Sequence, residues 1–259
     1  MAVTLSARLQ AIADLVPRGA RIVDVGTDHA LLPIFLVQSH VAISAIATDI
    51  AALPAHSAAT NVRGHGLADV IDVRVGPGLR TVLPGEIDTV IVAGMGGSTI
   101  REVLSDSTLV LRDVRRIIVQ PMNQGHHVRS FFLDNGWALT AERAVLDHGR
   151  IYEVLAAIPG THSEAMQSYK DFADDAPAMR VALDLGPTLL QCATPEFLTR
   201  VKETLEHWCK REHKMRQSGR EDVRRQVVHL RRQIVWLEAW YNGQAPNEGT
   251  GTTCSPQET

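Results

Sequence analysis

The chain has 259 residues, 45% of them hydrophobic and 21% charged, with a formal net charge of −3. This composition is that of an ordinary globular protein, so it excludes wholesale disorder, a collagen-like chain and a coiled coil running end to end. No apolar run approaches the ~18 residues of a membrane span, and three cysteines without CxxC spacing favour a reducing cytoplasm over disulfides or zinc.

Charge is unevenly distributed along the sequence. Residues 1–194 contain 15 basic and 20 acidic residues, residues 195–241 contain 11 and 7, and residues 242–259 contain two acidic residues and no basic ones. A basic segment attached to an acidic one suggests a polyanionic partner. Charge by itself favours a simpler interpretation, which is a solvated helical surface.

The first predicted element is an amphipathic helix over residues 3–16, because Leu5, Leu9 and Ile12 lie on one helical face. Pro17-Arg18-Gly19 ends it. Short strands rich in Val and Ile are predicted at 21–25, 43–49, 70–75, 87–93 and 116–119. Helices are predicted between or after them at 30–38, 52–65, 97–105 and 124–135. Apolar strands that alternate with helices indicate a parallel sheet covered on both faces.

An antiparallel hairpin is predicted to complete the sheet. Two strand-like runs, 137–146 and 150–158, are joined by Asp147-His148-Gly149, which is a turn signal rather than a crossover. Five strand–helix units followed by a hairpin are typical of the Rossmann-like sheet of class I methyltransferases, and fit a dinucleotide-binding dehydrogenase less well. The predicted fold class is therefore α/β, with a methyltransferase domain over residues 1–158.

A helical coiled-coil hairpin is predicted near the C-terminal end. Residues 195–241 place apolar side chains three and four residues apart, with Glu212 at one seam position and a turn at Gln217-Ser218-Gly219. Residues 159–194 show little regularity and are interpreted as a connector. The polar tail, residues 242–259, is predicted to be disordered.

Carboxylates follow the first two predicted strands. The turn Asp24-Val25-Gly26-Thr27-Asp28-His29 contains a glycine that lets a ligand approach outward-pointing amides. An aspartate there suits the cationic amino and sulfonium groups of S-adenosylmethionine better than a pyrophosphate. Asp49, at the end of the second strand, is placed to accept hydrogen bonds from ribose hydroxyls. An ordinary turn and a helix N-cap are the alternatives, but the two features together favour a ligand.

Two further loops follow the fourth and fifth strands. Ala93-Gly94-Met95-Gly96-Gly97 leaves room for a methyl group and a planar base beside the predicted switch point of the sheet, although a plain glycine-rich turn has the same pattern. Gln120 and Asn123 carry amides able to read the edge of a base, with a polar loop as the alternative. His126-His127 lacks metal-ligand spacing, so surface histidines and no metal are expected.

These stretches together resemble the bacterial tRNA methyltransferases that modify N1 of adenine 22. The resemblance spans residues 4–241 and rests on LSARLQAIADLVPRGARIVDVGTDHALLP, IVAGMGGSTI, VQP-x-N, GRIYEVL and Leu185-Gly186-Pro187. It implies a Rossmann-like catalytic domain, S-adenosylmethionine as the methyl donor, and a C-terminal coiled coil that helps to hold tRNA. A cytoplasmic enzyme is expected, as a monomer or weak dimer.

The resemblance also implies roles for individual residues. Arg8 would face the carboxylate of the donor, Asp49 its ribose, and the loop at Gly94 its methyl group. Motifs and resemblance together give a donor-binding set of Arg8, Asp24, Gly26, Asp28, His29, Asp49, Gly76, Pro77, Gly78, Ala93, Gly94, Met95 and Gly96. The candidate catalytic residues are Asp28, His29 and Asn123, expected to orient the adenine or the amino group of the donor.

Two positions depart from the family pattern. The family has Gly-Asp-Gly-Leu after the third strand, whereas this chain has Gly76-Pro77-Gly78-Leu79. Proline offers neither a side-chain acceptor nor an N–H, so donor binding is expected to be weaker unless another group substitutes. The family's Gln-Pro-Asn becomes Gln120-Pro121-Met122, with the asparagine retained one residue later.

The predicted coiled coil offers basic side chains for the phosphates of tRNA. These residues are Lys210, Arg211, Lys214, Arg224, Arg225, Arg231 and Arg232. A tRNA methyltransferase is the favoured function, and a methyltransferase-like tRNA-binding protein weakened at Pro77 is the alternative. An NAD(P) oxidoreductase would need a glycine fingerprint that Gly26-Thr27-Asp28-His29 lacks.

Overall fold

A seven-stranded sheet forms the centre of the N-terminal part of the chain, in a computed structural model that describes residues 3–217 and 221–244. The strands are β1 (Ala20–Val25), β2 (Ala42–Asp49), β3 (Ile71–Val75), β4 (Thr89–Met95), β5 (Arg116–Pro121), β6 (Trp137–Asp147) and β7 (Arg150–Pro159). Their spatial order is β3-β2-β1-β4-β5-β7-β6. The first five are parallel and the last two antiparallel, so the predicted fold class is confirmed.

Helices cover this sheet. They are α1 (Ala7–Ala13), α2 (Leu31–Gln38), α3 (Ala52–Gly64), α4 (Gly97–Ser105), α5 (Thr108–Leu111), α6 (Gly125–Asp134) and α7 (His162–Gln167). The first three share one apolar cluster with buried residues of β1, β2, β3, β4, β5 and β7. Strand order reverses between β1 and β4, where ligands bind in open α/β sheets.

Helix α1 is shorter than the predicted span of 3–16. Ser6 caps its first turn, since the Ser6 hydroxyl accepts a hydrogen bond from the Leu9 N–H, and helical backbone ends at Asp14. Apolar periodicity extends beyond both caps because Leu5 and Val16 pack on the same core from non-helical backbone. The apolar pattern therefore predicted which residues are buried, but its prediction of the helix length was wrong.

The β6–β7 hairpin has the predicted turn. Asp147 pairs with Arg150, and both residues between them have positive φ, 46° at His148 and 75° at Gly149. Two successive left-handed residues match the twist of the two strands, and glycine adopts this conformation at the second position without strain. Strand β7 lies between β5 and β6, so the hairpin extends the sheet beyond the last parallel strand.

The chain divides into two compact units between Ser168 and Tyr169. The second contains α8 (Ala176–Leu185), α9 (Pro187–Gln191), α10 (Pro195–Gln217) and α11 (Glu221–Gly243). Helices α10 and α11 form the predicted pair, with Phe197 against Trp240 at a ring separation of 5.9 Å. Seam residues Val201, Trp208 and Glu212 are buried. The predicted turn at 218–219 and nearly all of the tail lie outside the described residues.

Three helices lie within the stretch interpreted as a connector, residues 159–194. Thr161 and Glu164 form a capping box at the start of α7, and Asp175 caps α8. These caps are visible in the sequence, but α7 and α9 have only six and five residues, too few for a repeated apolar pattern. None of the described helices is long and apolar enough to cross a membrane.

Candidate active site

Two cavities open at the carboxyl ends of the parallel strands and share Gly26. The first, here called the β1 cavity, has a volume of 330 Å³. Its walls include Arg8, Asp24, Gly26, Thr27, Asp28, His29, Ala93 and Gly94. The second, the β2 cavity, has a volume of 390 Å³. Its walls include Gly26, Asp49, Ile50, Gly76, Pro77, Gly78 and Met95. Together they form an elongated site on both sides of one glycine.

Gly26 is the thin wall between the two cavities. Its φ is 77°, and a Cβ placed on it would overlap the terminal methyl group of Met95. The N–H groups of Gly26 and Thr27 both donate to the Thr48 carbonyl, at 2.7 and 3.0 Å, which fixes the turn after β1 against β2. Glycine is therefore required here for backbone conformation and for close approach.

Asp24 is a buried carboxylate in the wall of the β1 cavity. The residue is 7% exposed, and its burial raises the pKa to about 6, an effect that a hydrogen bond with the Thr27 side chain partly offsets. A carboxylate held in this way favours a neighbouring cation, because a positive charge compensates for the lost hydration. Arg8, Asp28 and His29 are the other charged or titratable groups lining this cavity.

Asp28 and His29 lie at the open side of the β1 cavity. Their side chains are 77% and 52% exposed, with His29 Nε2 3.4 Å from Asp28 Oδ2. The Asn61 side chain donates to the His29 carbonyl at 3.1 Å, so the loop is held although both side chains are exposed. The pair is positioned to meet a group entering from solvent.

Asp49 serves as a turn residue and lines the β2 cavity. Its Oδ1 accepts a hydrogen bond of 2.7 Å from the Ala51 N–H, next to the start of α3, and its carbonyl accepts one from Gly76. The structure shows no partner for Oδ2 within the described residues, so this oxygen is available to a ligand. The N-cap alternative for Asp49 is wrong, because the N-cap of α3 is Ala51; Asp49 instead holds the turn just before the helix.

Gly76, Pro77 and Gly78 form the far end of the β2 cavity. The Thr48 hydroxyl donates to the Gly78 carbonyl at 3.1 Å. Gly78 has a φ of 56°, and a Cβ placed on it would come within 3.2 Å of the Val103 side chain. Pro77 is exposed at the rim. The loop therefore keeps a defined backbone around a proline that presents no polar side chain to the cavity.

Two glycine-rich loops meet beside the shared wall. Gly94 is the extra residue of a β-bulge, since Ala93 pairs with Gln120 and Met95 with Pro121. The Met122 N–H donates to the Met95 carbonyl at 2.8 Å, and the Gly97 N–H donates to the Asn123 carbonyl at 3.0 Å. A Cβ on Gly97 would overlap the Gln124 carbonyl, so the loops after β4 and β5 are in close contact.

Gln120 is neither exposed to a base nor part of an exposed polar loop, so both interpretations of it are wrong. The residue is fully buried, its Oε1 accepts from Arg8 and from the Gly94 N–H, and its Nε2 donates to the Pro121 carbonyl at 2.9 Å. The neighbouring asparagine is exposed, with Asn123 Oδ1 3.3 Å from the position that a Cβ on Gly96 would occupy. Asn123 and Gly96 therefore lie at the rim of the site rather than in a cavity wall.

Comparison with known proteins places this site in a family. Residues 5–155 match the family described as Methyltransferase domain. The chain is 36% identical over 203 residues to the tRNA (adenine(22)-N(1))-methyltransferase of Bacillus subtilis, covering 78% of this chain and 82% of that protein. The chain belongs to the tRNA (adenine-22-N1)-methyltransferase family. The resemblance noted in the sequence is confirmed.

Solved structures of this methyltransferase family agree. The B. subtilis M1A22 tRNA methyltransferase has a TM-score of 0.83 at 31% identity, covering 92% of this chain and 99% of that one. Sp1610 of Streptococcus pneumoniae, a putative tRNA (m1A22) methyltransferase in complex with S-adenosyl-L-methionine, has a TM-score of 0.73 at 31% identity. That match covers 90% of this chain and 99% of the other.

The two cavities suit the donor used by this methyltransferase family, S-adenosylmethionine. The two cavities meet at Gly26, where a side chain would displace the Met95 methyl group. Asp24 offers a buried carboxylate for a cation on one side, and Asp49 offers an acceptor for hydroxyls on the other. Within residues 3–217 and 221–244, no group of three or more His, Cys, Asp or Glu is arranged to hold a metal ion.

Three structural features of this methyltransferase domain were missed in the sequence. Tyr152 places its ring 5.5 Å from the Arg8 guanidinium carbon, and Thr27 bonds to Asp24. Arg129 is fully buried and makes ion pairs of 2.7 Å with Glu142 and 2.6 Å with Glu153. The strand containing Tyr152 and Glu153 carried part of the resemblance, which was the available signal.

Proposed function

We propose that the protein transfers a methyl group from S-adenosylmethionine to N1 of adenine 22 in tRNA. The match to the B. subtilis enzyme over most of both chains carries this proposal. The paired cavities support it, because they offer one site to an elongated ligand with a cationic end and a ribose. We place the protein in the cytoplasm, where tRNA is found, and expect a monomer or a weak dimer.

The β1 cavity is proposed to hold the methionine part of the donor. Asp24 would pair with its ammonium group and Arg8 with its carboxylate, since these are the buried acid and the base that line the same space. The β2 cavity is proposed to hold the adenosine part, with Asp49 on the ribose hydroxyls and Gly76-Pro77-Gly78 along the adenine. Ala93 to Gly96 would then face the sulfur and its methyl.

Chemistry at this site depends chiefly on alignment. S-adenosylmethionine supplies a methyl group on a positively charged sulfur. Adenine N1 carries a lone pair at neutral pH, so no side chain has to remove a proton before attack. Asp28, His29 and Asn123 lie at the open side and rim, and we propose that they orient the adenine at a reacting distance of ~3 Å. The base must leave its stack to reach them.

Donor affinity is predicted to rise with pH through the titration of Asp24. Because its pKa is about 6 in the free protein, a proton must leave before Asp24 pairs with an ammonium group. The dissociation constant should therefore fall about tenfold for each pH unit below 6 and level off near pH 7. Calorimetry with S-adenosylmethionine between pH 5 and 7.5 measures this profile.

Two variants identify the titrating group. Asp24→Asn should bind the donor more weakly at pH 7.5 and lose the pH dependence, whereas His29→Gln should keep the slope. A flat wild-type profile would contradict the prediction. The folding stability of the ligand-free protein should change in the opposite direction. Because burial raises the pKa of Asp24, its contribution to stability decreases as pH rises from about 4 to 6.

The basic residues of α10 and α11 are proposed to hold tRNA phosphates. All seven side chains that the sequence singled out on these helices are exposed. Replacing Arg224, Arg225, Arg231 and Arg232 by alanine should weaken tRNA binding and reduce the slope of log K against log salt by about 3. Filter binding of tRNA from 50 to 300 mM salt, roughly the range over which this term dominates, measures the slope.

A variant with the same change in charge controls for non-specific attraction. Arg18, Arg63, Arg112 and Arg115 are exposed arginines of the first unit with no proposed RNA contact. Their replacement by alanine should leave the slope near the wild-type value. Equal slopes in the two fourfold variants would remove the proposed role of the coiled coil.

A methyl-transfer assay tests the proposed function itself. The protein is incubated with labelled S-adenosylmethionine and unmodified bulk tRNA, which is digested to nucleosides and analysed by mass spectrometry. N1-methyladenosine is the expected product, and mapping should place it at position 22. Absence of transfer with tRNA binding intact would favour a weakened, tRNA-binding relative and make Pro77→Asp the next variant.

A further inference from the structure

A single buried amide accepts hydrogen bonds from two residues in the wall of the β1 cavity, Arg8 and Gly94. Gln120, near the end of β5, has no exposed surface. Its Oε1 accepts two hydrogen bonds, from Arg8 Nη1 at 2.6 Å and from the Gly94 N–H at 3.2 Å. Its Nε2 donates to the Pro121 carbonyl at 2.9 Å, which fixes the direction of the amide.

The two donors to this oxygen come from distant parts of the chain and line the same cavity. Arg8 belongs to α1, 112 residues earlier in the chain, and lines the β1 cavity. Gly94 is the bulged residue of β4, in the loop proposed to face the methyl group. The oxygen therefore fixes the guanidinium proposed to bind the donor's carboxylate and the backbone proposed to face its sulfur.

Within the described residues, Gln120 Oε1 is the hydrogen-bond acceptor of the Arg8 guanidinium, and it accepts from the Gly94 N–H as well. Gly94 is offset from the regular β4–β5 pairing, so without Gln120 its N–H would lose its acceptor. Arg8 is otherwise held by the face of the Tyr152 ring, 5.5 Å from its guanidinium carbon, which restrains the plane of the group and not its position along the ring. A charge-assisted bond to a fixed oxygen supplies that position.

We propose that Gln120 is a positioning residue that couples the carboxylate-binding end of the donor site to the loop facing the methyl group. The inference rests on the proposed function. Arg8 is then preorganised before the donor binds, and the same oxygen keeps the Gly94 bulge in the shape that methyl transfer requires. Gln120 acts through these neighbours and touches neither substrate.

A double-mutant cycle on donor affinity tests the first half of this proposal. Gln120→Met keeps the length of the side chain and removes the acceptor. Calorimetry gives the dissociation constant of S-adenosylmethionine for wild type, Arg8→Met, Gln120→Met and the double variant. Each single change is expected to weaken binding about tenfold, and the double variant should be no weaker than Arg8→Met. Effects that multiply to about a hundredfold would overturn the coupling.

Turnover tests the second half. At saturating S-adenosylmethionine, kcat for tRNA methylation should be about tenfold lower for Gln120→Met than for Arg8→Met, because Gln120→Met alone frees the Gly94 N–H. Equal kcat values would overturn the role at the bulge. Gln10→Met is the matched control, since Gln10 is on α1 and its amide bonds to Asp14 at the surface. It should match wild type in affinity and turnover.

A second variant covers failure of Gln120→Met to fold. Gln120→Asn keeps the amide but shortens the side chain by one methylene. It should weaken donor binding less than Gln120→Met does, and it should show the same coupling with Arg8→Met. Wild-type affinity in Gln120→Asn would overturn the proposal. The calorimetric cycle needs no tRNA, so it tests the role of Gln120 even when the wild-type protein transfers no methyl group. Failure of this proposal and failure of the proposed function are therefore distinguishable.

Discussion

Gly26→Ala is expected to weaken the binding of S-adenosylmethionine between about ten- and a hundredfold. The added Cβ would overlap the terminal methyl of Met95, which has to move into the β2 cavity that the side chain lines. Met95 is flexible, so the change should affect the ligand site more than the fold. Calorimetry with S-adenosylmethionine measures the loss, and methyl transfer should fall with it.

Two controls separate steric overlap from backbone strain at this position. Gly19→Ala places the same side chain at a φ of 79°, where nothing lies within 4 Å of the new Cβ. It should lower stability by about 1 kcal/mol and leave donor binding intact. Adding Met95→Ala to Gly26→Ala removes the overlap and should recover part of the affinity. Unchanged donor affinity in Gly26→Ala would show that S-adenosylmethionine does not bind next to Gly26.

Arg129→Met is expected to lower the free energy of unfolding by about 3–5 kcal/mol. Arg129 is fully buried between Glu142 and Glu153, whose side chains are 0% and 1% exposed. Methionine fills a similar volume but leaves two buried carboxylates without their cation. The loss is a large part of the total stability of a typical domain, about 5–15 kcal/mol. Urea unfolding monitored by circular dichroism measures it.

The matched control for Arg129 is Arg150→Met at the exposed end of the same hairpin. It should change stability by less than about 0.5 kcal/mol. Replacing all three buried charges together, Arg129→Met with Glu142→Leu and Glu153→Met, should restore much of the stability, because no unpaired charge remains. A free energy of unfolding for Arg129→Met within about 1 kcal/mol of the wild-type value would contradict this prediction, because that is a small effect for a change in the core.

Local sequence signals predicted the sheet well. Runs of Val and Ile between helices gave the parallel strands, and His148-Gly149 gave a two-residue turn because few other residues accept successive left-handed conformations. Motif positions also placed Asp24, Gly26 and Asp49 at one edge of the sheet, since the carboxyl ends of parallel strands lie together. These features depend on neighbouring residues, which a sequence displays directly.

Contacts between distant residues were not predictable in the same way. Gln120 looked available for a base because its loop is polar, but its partner Arg8 is 112 residues away. Nothing in the sequence singled out Arg129, because its two acidic partners are on β6 and β7. A single sequence shows that a polar residue is present, and the fold decides whether it faces solvent or another side chain.

The place of β7 inside the sheet has a consequence for how the protein is made. Strand β7 is the last of the seven strands in the chain, yet it pairs with β5 on one side and β6 on the other. During synthesis, β6 therefore leaves the ribosome before β7, the strand that joins β6 to the rest of the sheet. Until Arg150–Pro159 has emerged, β5 presents unpaired backbone groups, and Arg129 lacks Glu153. The catalytic sheet closes late in synthesis, so nascent chains arrested before β7 offer a bare strand edge to chaperones and to one another.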